Sequence, residues 1–125
     1  MCYIFISVSR KLLTTVNIGD VIMKLMTKQL ETNIPKIGST EYVENPEIKT
    51  HYFNPCGRGD WYVLEGEKQT DGNWLFFGYV KSPITPDFDG LGYFTLKELD
   101  SVKLPFGLGI EREVYWNEKP LKEVM

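Results

Sequence analysis

The chain has one histidine, two cysteines and no long apolar run, and each shortage closes a line of chemistry. Structural zinc takes four Cys or His ligands in paired spacings. With only His51, Cys2 and Cys56 to offer, the sequence presents no metal site, and no cofactor motif either. Two cysteines, one beside the first residue, make no disulfide framework, so both are expected as free thiols in a reducing compartment. No stretch approaches the roughly 18 to 20 apolar residues of a membrane span. The apolar run Tyr3–Val8 does not read as a signal peptide, which carries its positive charge ahead of the apolar part; here Arg10 and Lys11 follow it. The chain is therefore read as cytoplasmic.

Charge of one sign is scarce as well. Fourteen basic residues against 17 acidic leave a formal net charge of -3, and only Arg10 and Lys11 are adjacent among the basic residues. A chain that neutralises phosphates gathers Lys and Arg on one face; this one does not, which disfavours nucleic acid as a partner. Nor is there the dense acidic run of a protein that imitates DNA by charge.

Aromatic residues, glycine and proline are plentiful: 14% of the 125 residues are aromatic, with 11 Gly and 7 Pro. That balance favours strands and turns over a helical bundle, in a chain long enough for one domain. Thr27 caps an expected helix over 28–33, which Pro35 ends. Residues 48–53 and 61–65 read as strands joined by the turn-rich 54–60 connection. Asp71-Gly72 signals a hairpin with positive φ at both central positions. The run 74–80 is apolar at almost every position, which predicts a central strand covered on both faces, and Gly78 within it predicts a bulge or a close crossing. A long loop follows over 82–90. Thr95 and Glu98 then form a capping box for a helix reaching about Val102, in which Glu98 returns to the amide of Thr95. Residues 110–116 read as the last strand, and 121–125 as a helical turn. The expected fold is α+β: a mainly antiparallel sheet of about four to five strands packed with two short helices. Val63, Leu75, Phe77, Tyr79, Phe94, Leu96 and Leu99 form the expected core.

Five segments carry a resemblance to a known family: Met23-Lys24-Leu25-Met26-Thr27-Lys28, Trp61-Tyr62-Val63-Leu64-Glu65-Gly66, Leu75-Phe76-Phe77-Gly78-Tyr79-Val80, residues 91–99 (LGYFTLKEL) and residues 107–113 (GLGIERE). In order and spacing they resemble a family of small bacterial proteins, domain of unknown function family 2958, carried largely on plasmids, conjugative elements and phages. The resemblance brings no catalytic residues. It implies a setting, accessory genes of mobile DNA, where defence and counter-defence proteins are common. Residues 1–22 precede the resembling text and lack its periodicity, so they are expected to be an extension ahead of a natural start at Met23, with 23–125 as the working domain.

Several constellations fall short of chemistry. His51 and Cys56 lie close enough in sequence for a nucleophile pair but show no orienting group. Asp87, Asp89 and Gly90 fit a turn better than a calcium loop, which needs a third acidic position and a terminal Glu. Gly107 and Gly109 lack the third glycine of a dinucleotide fingerprint. The leading expectation is a small non-enzymatic protein of a mobile element that binds another protein, in its sharpest form an anti-CRISPR or anti-restriction inhibitor. Its binding surface is placed on the 54–60 connection and the 81–91 loop, with Arg58, Trp61, Asp87, Phe88 and Asp89 as the contact residues. The alternative is a small enzyme or ligand-binding protein using Glu65, His51 or Cys56 near the aromatic cluster.

Overall fold

The structure, a computed structural model, describes residues 25–125. The expected extension over 1–22 and the start at Met23 lie outside the described residues. Helix α1 (Lys28–Asn33) begins where the amide of Leu30 donates to the Thr27 hydroxyl at 3.2 Å. It stops at Ile34, whose extended backbone turns its side chain into the core. Strands β1 (Glu47–Ile48), β2 (Thr50–Phe53), β3 (Asp60–Lys68), β4 (Trp74–Lys81) and β5 (Gly90–Thr95) follow, then helix α2 (Leu96–Asp100), β6 (Glu111–Arg112) and β7 (Lys119–Pro120). An antiparallel sheet of five strands runs β5-β4-β3-β2-β6, and β1 pairs with β7 in a separate two-stranded ribbon. The fold is α+β, as the sequence led us to expect.

Local chemistry explains most of the joints. In the β3–β4 hairpin the amide of Gly72 donates to Gln69 at 3.0 Å and that of Gln69 to Asn73 at 2.7 Å. Gly72 alone takes a positive φ, +89°, so the turn is a three-residue loop ending in a left-handed glycine, not the two-residue form with both central residues left-handed. Gly78 sits against a register shift in β3 between Val63 and Glu65. A Cβ there would lie 1.8 Å from the Tyr62 carbonyl oxygen, so only glycine fits the bulge. At α2 the Glu98 amide donates to the Thr95 hydroxyl at 3.1 Å. The returning contact differs from the expected box: the Glu98 carboxylate accepts from that hydroxyl rather than from the Thr95 amide.

The sheet is covered on both faces, unequally. On the first, Tyr52, Trp61, Val63, Trp74, Phe76, Phe94, Leu99 and Ile110 pack with Leu25 and Ile34. On the second, Ile48, Tyr62, Leu64 and Leu121 form a smaller cluster, against which Phe77, Tyr79 and Trp116 lie half-buried. Three expectations are corrected here. The central, most enclosed strand is β3, while β4 alternates between buried and half-buried residues. Of the expected core, Val63, Phe94 and Leu99 are buried; Leu75, Phe77 and Tyr79 are half-buried, because the core side of β4 is formed by Trp74 and Phe76, and Leu96 on α2 is half-buried against that same core. The last strand shrinks to Glu111–Arg112, since a turn closed by the Trp116 amide on the Glu113 carbonyl diverts the chain.

Candidate functional site

On the second face, the register aligns Leu91, Tyr79, Tyr62 and His51 across four strands, and the Glu113 amide bonds the His51 carbonyl. His51 lies flat on Tyr62, ring centroids 4.4 Å apart and planes 7° from parallel, with Trp116 tilted beside it at 5.4 Å. Its Nδ1 is 2.7 Å from a Glu113 carboxylate oxygen and its Nε2 is 2.7 Å from one of Asp60. Both ring nitrogens are thus within hydrogen-bond distance of a carboxylate. Burial, followed by the nearby Asp60 and Glu113 carboxylates and Tyr79, pushes the Tyr62 hydroxyl up to about 12. An open hollow of about 400 Å³ borders this cluster, lined by His51, Phe53, Asn54, Gly57, Asp60 and Glu113.

Glu65 is buried on the same face because a distant turn satisfies it. One carboxylate oxygen accepts from the Gly38 amide at 2.7 Å; the other accepts from the Thr40 amide at 2.8 Å and from the Thr40 hydroxyl. Burial pushes this carboxyl up, yet the three hydrogen bonds outweigh it and hold it below its ordinary value. Cys56 is disulfide-bonded and no described cysteine is free, which corrects the expectation of a free thiol; a sulfur so engaged supplies no thiolate.

The two loops expected to carry binding are joined by an ion pair. The Arg58 guanidinium pairs with Asp89, whose other carboxylate oxygen accepts from the Ser82 amide at 2.6 Å. Arg58 first, with the Ser82 amide, holds the Asp89 carboxyl below its ordinary value. The Ser82 hydroxyl in turn accepts from the Ile84 amide at 3.0 Å, and Asn54 ties the other loop through the Cys56 amide and the Arg58 carbonyl. Phe88 and Ile84 project from this clamp, 68% and 78% exposed, and Asp87 is exposed beside them. Trp61 is different. It is buried among the first-face core residues, since strand alternation places it with Val63, and it cannot belong to an exposed binding surface. The pairing of His51 with Asp60 and Glu113 was not legible in the sequence, because Glu113 arrives through the pairing of β6 with β2.

Among the described residues no group of three His, Cys, Asp or Glu is arranged to hold a metal ion, and no helix is long and apolar enough to cross a membrane. What fold and surface define is a small α+β domain with a two-sided antiparallel sheet. A family model described as "Protein of unknown function (DUF2958)" matches residues 18–123. The chain belongs to this family. No curated protein and no solved structure matches it significantly.

Proposed function

We propose that the protein is a small non-enzymatic binding protein of a mobile genetic element, which engages another protein through the surface where the 54–60 and 82–90 loops meet. The observation that carries this is the Arg58–Asp89 clamp, which fixes two loops to each other and holds Phe88 and Ile84 outward. A rigid loop pair presenting apolar side chains loses little entropy on association, and aromatic and Arg anchors dominate interface energies. Further support comes from the commitment of every candidate catalytic group: His51 to two carboxylates, Glu65 to the 38–40 turn, Cys56 to a disulfide. Inhibition of a host defence complex, CRISPR or restriction, is the form of this function that fits a mobile-element setting.

The test is capture from host lysate with tagged wild-type protein and with Phe88→Ala and His51→Gln. Phe88→Ala should lower capture of a stoichiometric partner at least about tenfold, with melting unchanged, while His51→Gln retains it. Capture indifferent to Phe88 and Ile84 sinks the proposed surface. A specific observation also favours the alternative, a ligand-binding or catalytic protein: the hollow beside His51. Loss of function in His51→Gln with the fold intact would select it.

A further inference from the structure

The sheet ends at β5, and its outer edge has no strand partner among the described residues. Soluble proteins blunt such edges with charge, proline or bulges. The sequence of β5, Gly90-Leu91-Gly92-Tyr93-Phe94-Thr95, has no charge and no proline, and its register with β4 runs unbroken from Thr95 to Gly90. Leu91 and Tyr93 stand on the second face, 53% and 64% exposed. We propose that two copies of the chain pair antiparallel through β5 about a two-fold axis at Gly92, joining two five-stranded sheets into one of ten.

The strand is its own complement in that register. With the axis at Gly92, Leu91 faces Tyr93 of the partner subunit, and Tyr93 faces Leu91 of the partner subunit. These are cross-strand aromatic–aliphatic pairs of the kind that stabilise a sheet. Moving the axis by one residue sets Tyr93 opposite an Asp89 or Leu91 opposite a Thr95, and leaves a large apolar side chain poorly matched. Gly92 itself meets its own copy on the axis, and nothing lies within 4 Å of the place a Cβ would take, so a side chain can be introduced there without a clash. The edge is short. A six-residue strand and two large side chains bury on the order of 500 Å² per copy, against about 800 Å² for a standard interface. The dimer is accordingly weak and dissociates on dilution. The inference goes beyond the partner-binding function and uses none of its contact residues.

Sedimentation of the full chain from about 5 to 500 μM should show the mass rising from monomer towards dimer. The double variant Leu91→Lys/Tyr93→Lys should stay monomeric with unchanged melting. Under oxidation Gly92→Cys should give a disulfide-linked dimer, at least about tenfold more than Leu91→Cys, whose sulfurs are offset across the axis; wild-type protein controls for the native cysteines. Should the double variant fail to fold, the Gly92→Cys and Leu91→Cys pair decides. A monomer at every concentration, a dimer indifferent to the lysines, or equal cross-linking at both positions overturns the proposal. So does a monomeric wild type whose host-protein capture depends on Tyr93, which would give the edge to another protein's strand. Failure of capture by Phe88→Ala alone bears on the binding loops and leaves the dimer untouched.

Discussion

The two faces of the sheet hold the molecule together by different means. The first is a continuous apolar layer, in which Phe76 is fully buried and in ring contact with Tyr52, Trp74 and Phe94. The second has a small apolar cluster and is otherwise organised by polar bonds between distant segments: Glu65 to the 38–40 turn, His51 to Asp60 and Glu113, the Trp116 indole to the Ile48 carbonyl. Dispersion and burial are blunt and non-directional, so the first face can carry stability. Hydrogen bonds to charged groups are directional and fix which loop lies where.

The largest expected effect tests the first face. Phe76→Ala removes a ring with no free surface and should cost about 3–5 kcal/mol, read as a lower urea midpoint. Were the cost no greater than that of a surface change, the assignment of the main core to this face would fail.

A smaller effect tests the second face. Glu65→Ala leaves the Gly38 and Thr40 donors without their acceptor and should cost about 1.5–3 kcal/mol. Its sign with pH follows from the lowered carboxyl. A depressed carboxylate stabilises above its unfolded-state value, and that contribution is lost as pH falls through its folded-state value. Wild type should therefore lose stability on acidification below the ordinary Glu range, and Glu65→Ala should lose less over the same interval. Parallel pH curves for the two proteins would remove Glu65 as the anchor of the turn.

The smallest expected effect is local to the joint after β5. Thr95→Ala deletes the hydroxyl that caps α2 and should cost about 1 kcal/mol. Because Leu99 on α2 packs into the first face, the loss should appear in thermal melting and leave the second-face bonds untouched. A loss above about 2 kcal/mol would mean that the cap supports more than its helix.

The contrast also explains what could be read from the sequence. Local features were legible: the Thr27 and Thr95 caps, the Asp71-Gly72 hairpin, and the bulge signalled by Gly78. Choosing the central strand was not. Residues 74–80 are apolar on both sides of the strand, yet only Trp74 and Phe76 enter the main core; β3 is central although it begins with Asp60 and contains Glu65. A buried glutamate is tolerable only where donors meet it, and those donors come from Gly38 and Thr40. No window around Glu65 contains them. Trp61 was misplaced for a related reason: the sequence puts it on a strand without saying which way it points, and only the register of β3 against β2 assigns its face. Of the candidate site, the 54–60 connection and the 81–91 loop were each singled out, whereas the ion pair that joins them depends on how β3 and β4 bring their ends together.

The strand order carries a consequence for the time course of folding. Strands β2 to β5 neighbour each other in the sequence as they do in the sheet, so each hairpin closes a short loop and forms early. The ribbon of β1 and β7 is the opposite case, with Glu47 facing Pro120 across most of the described chain. During synthesis the meander can be complete while Leu121, which seals the cluster around Ile48 and Leu64, is still to emerge from the ribosome. The second face is thus the last to close.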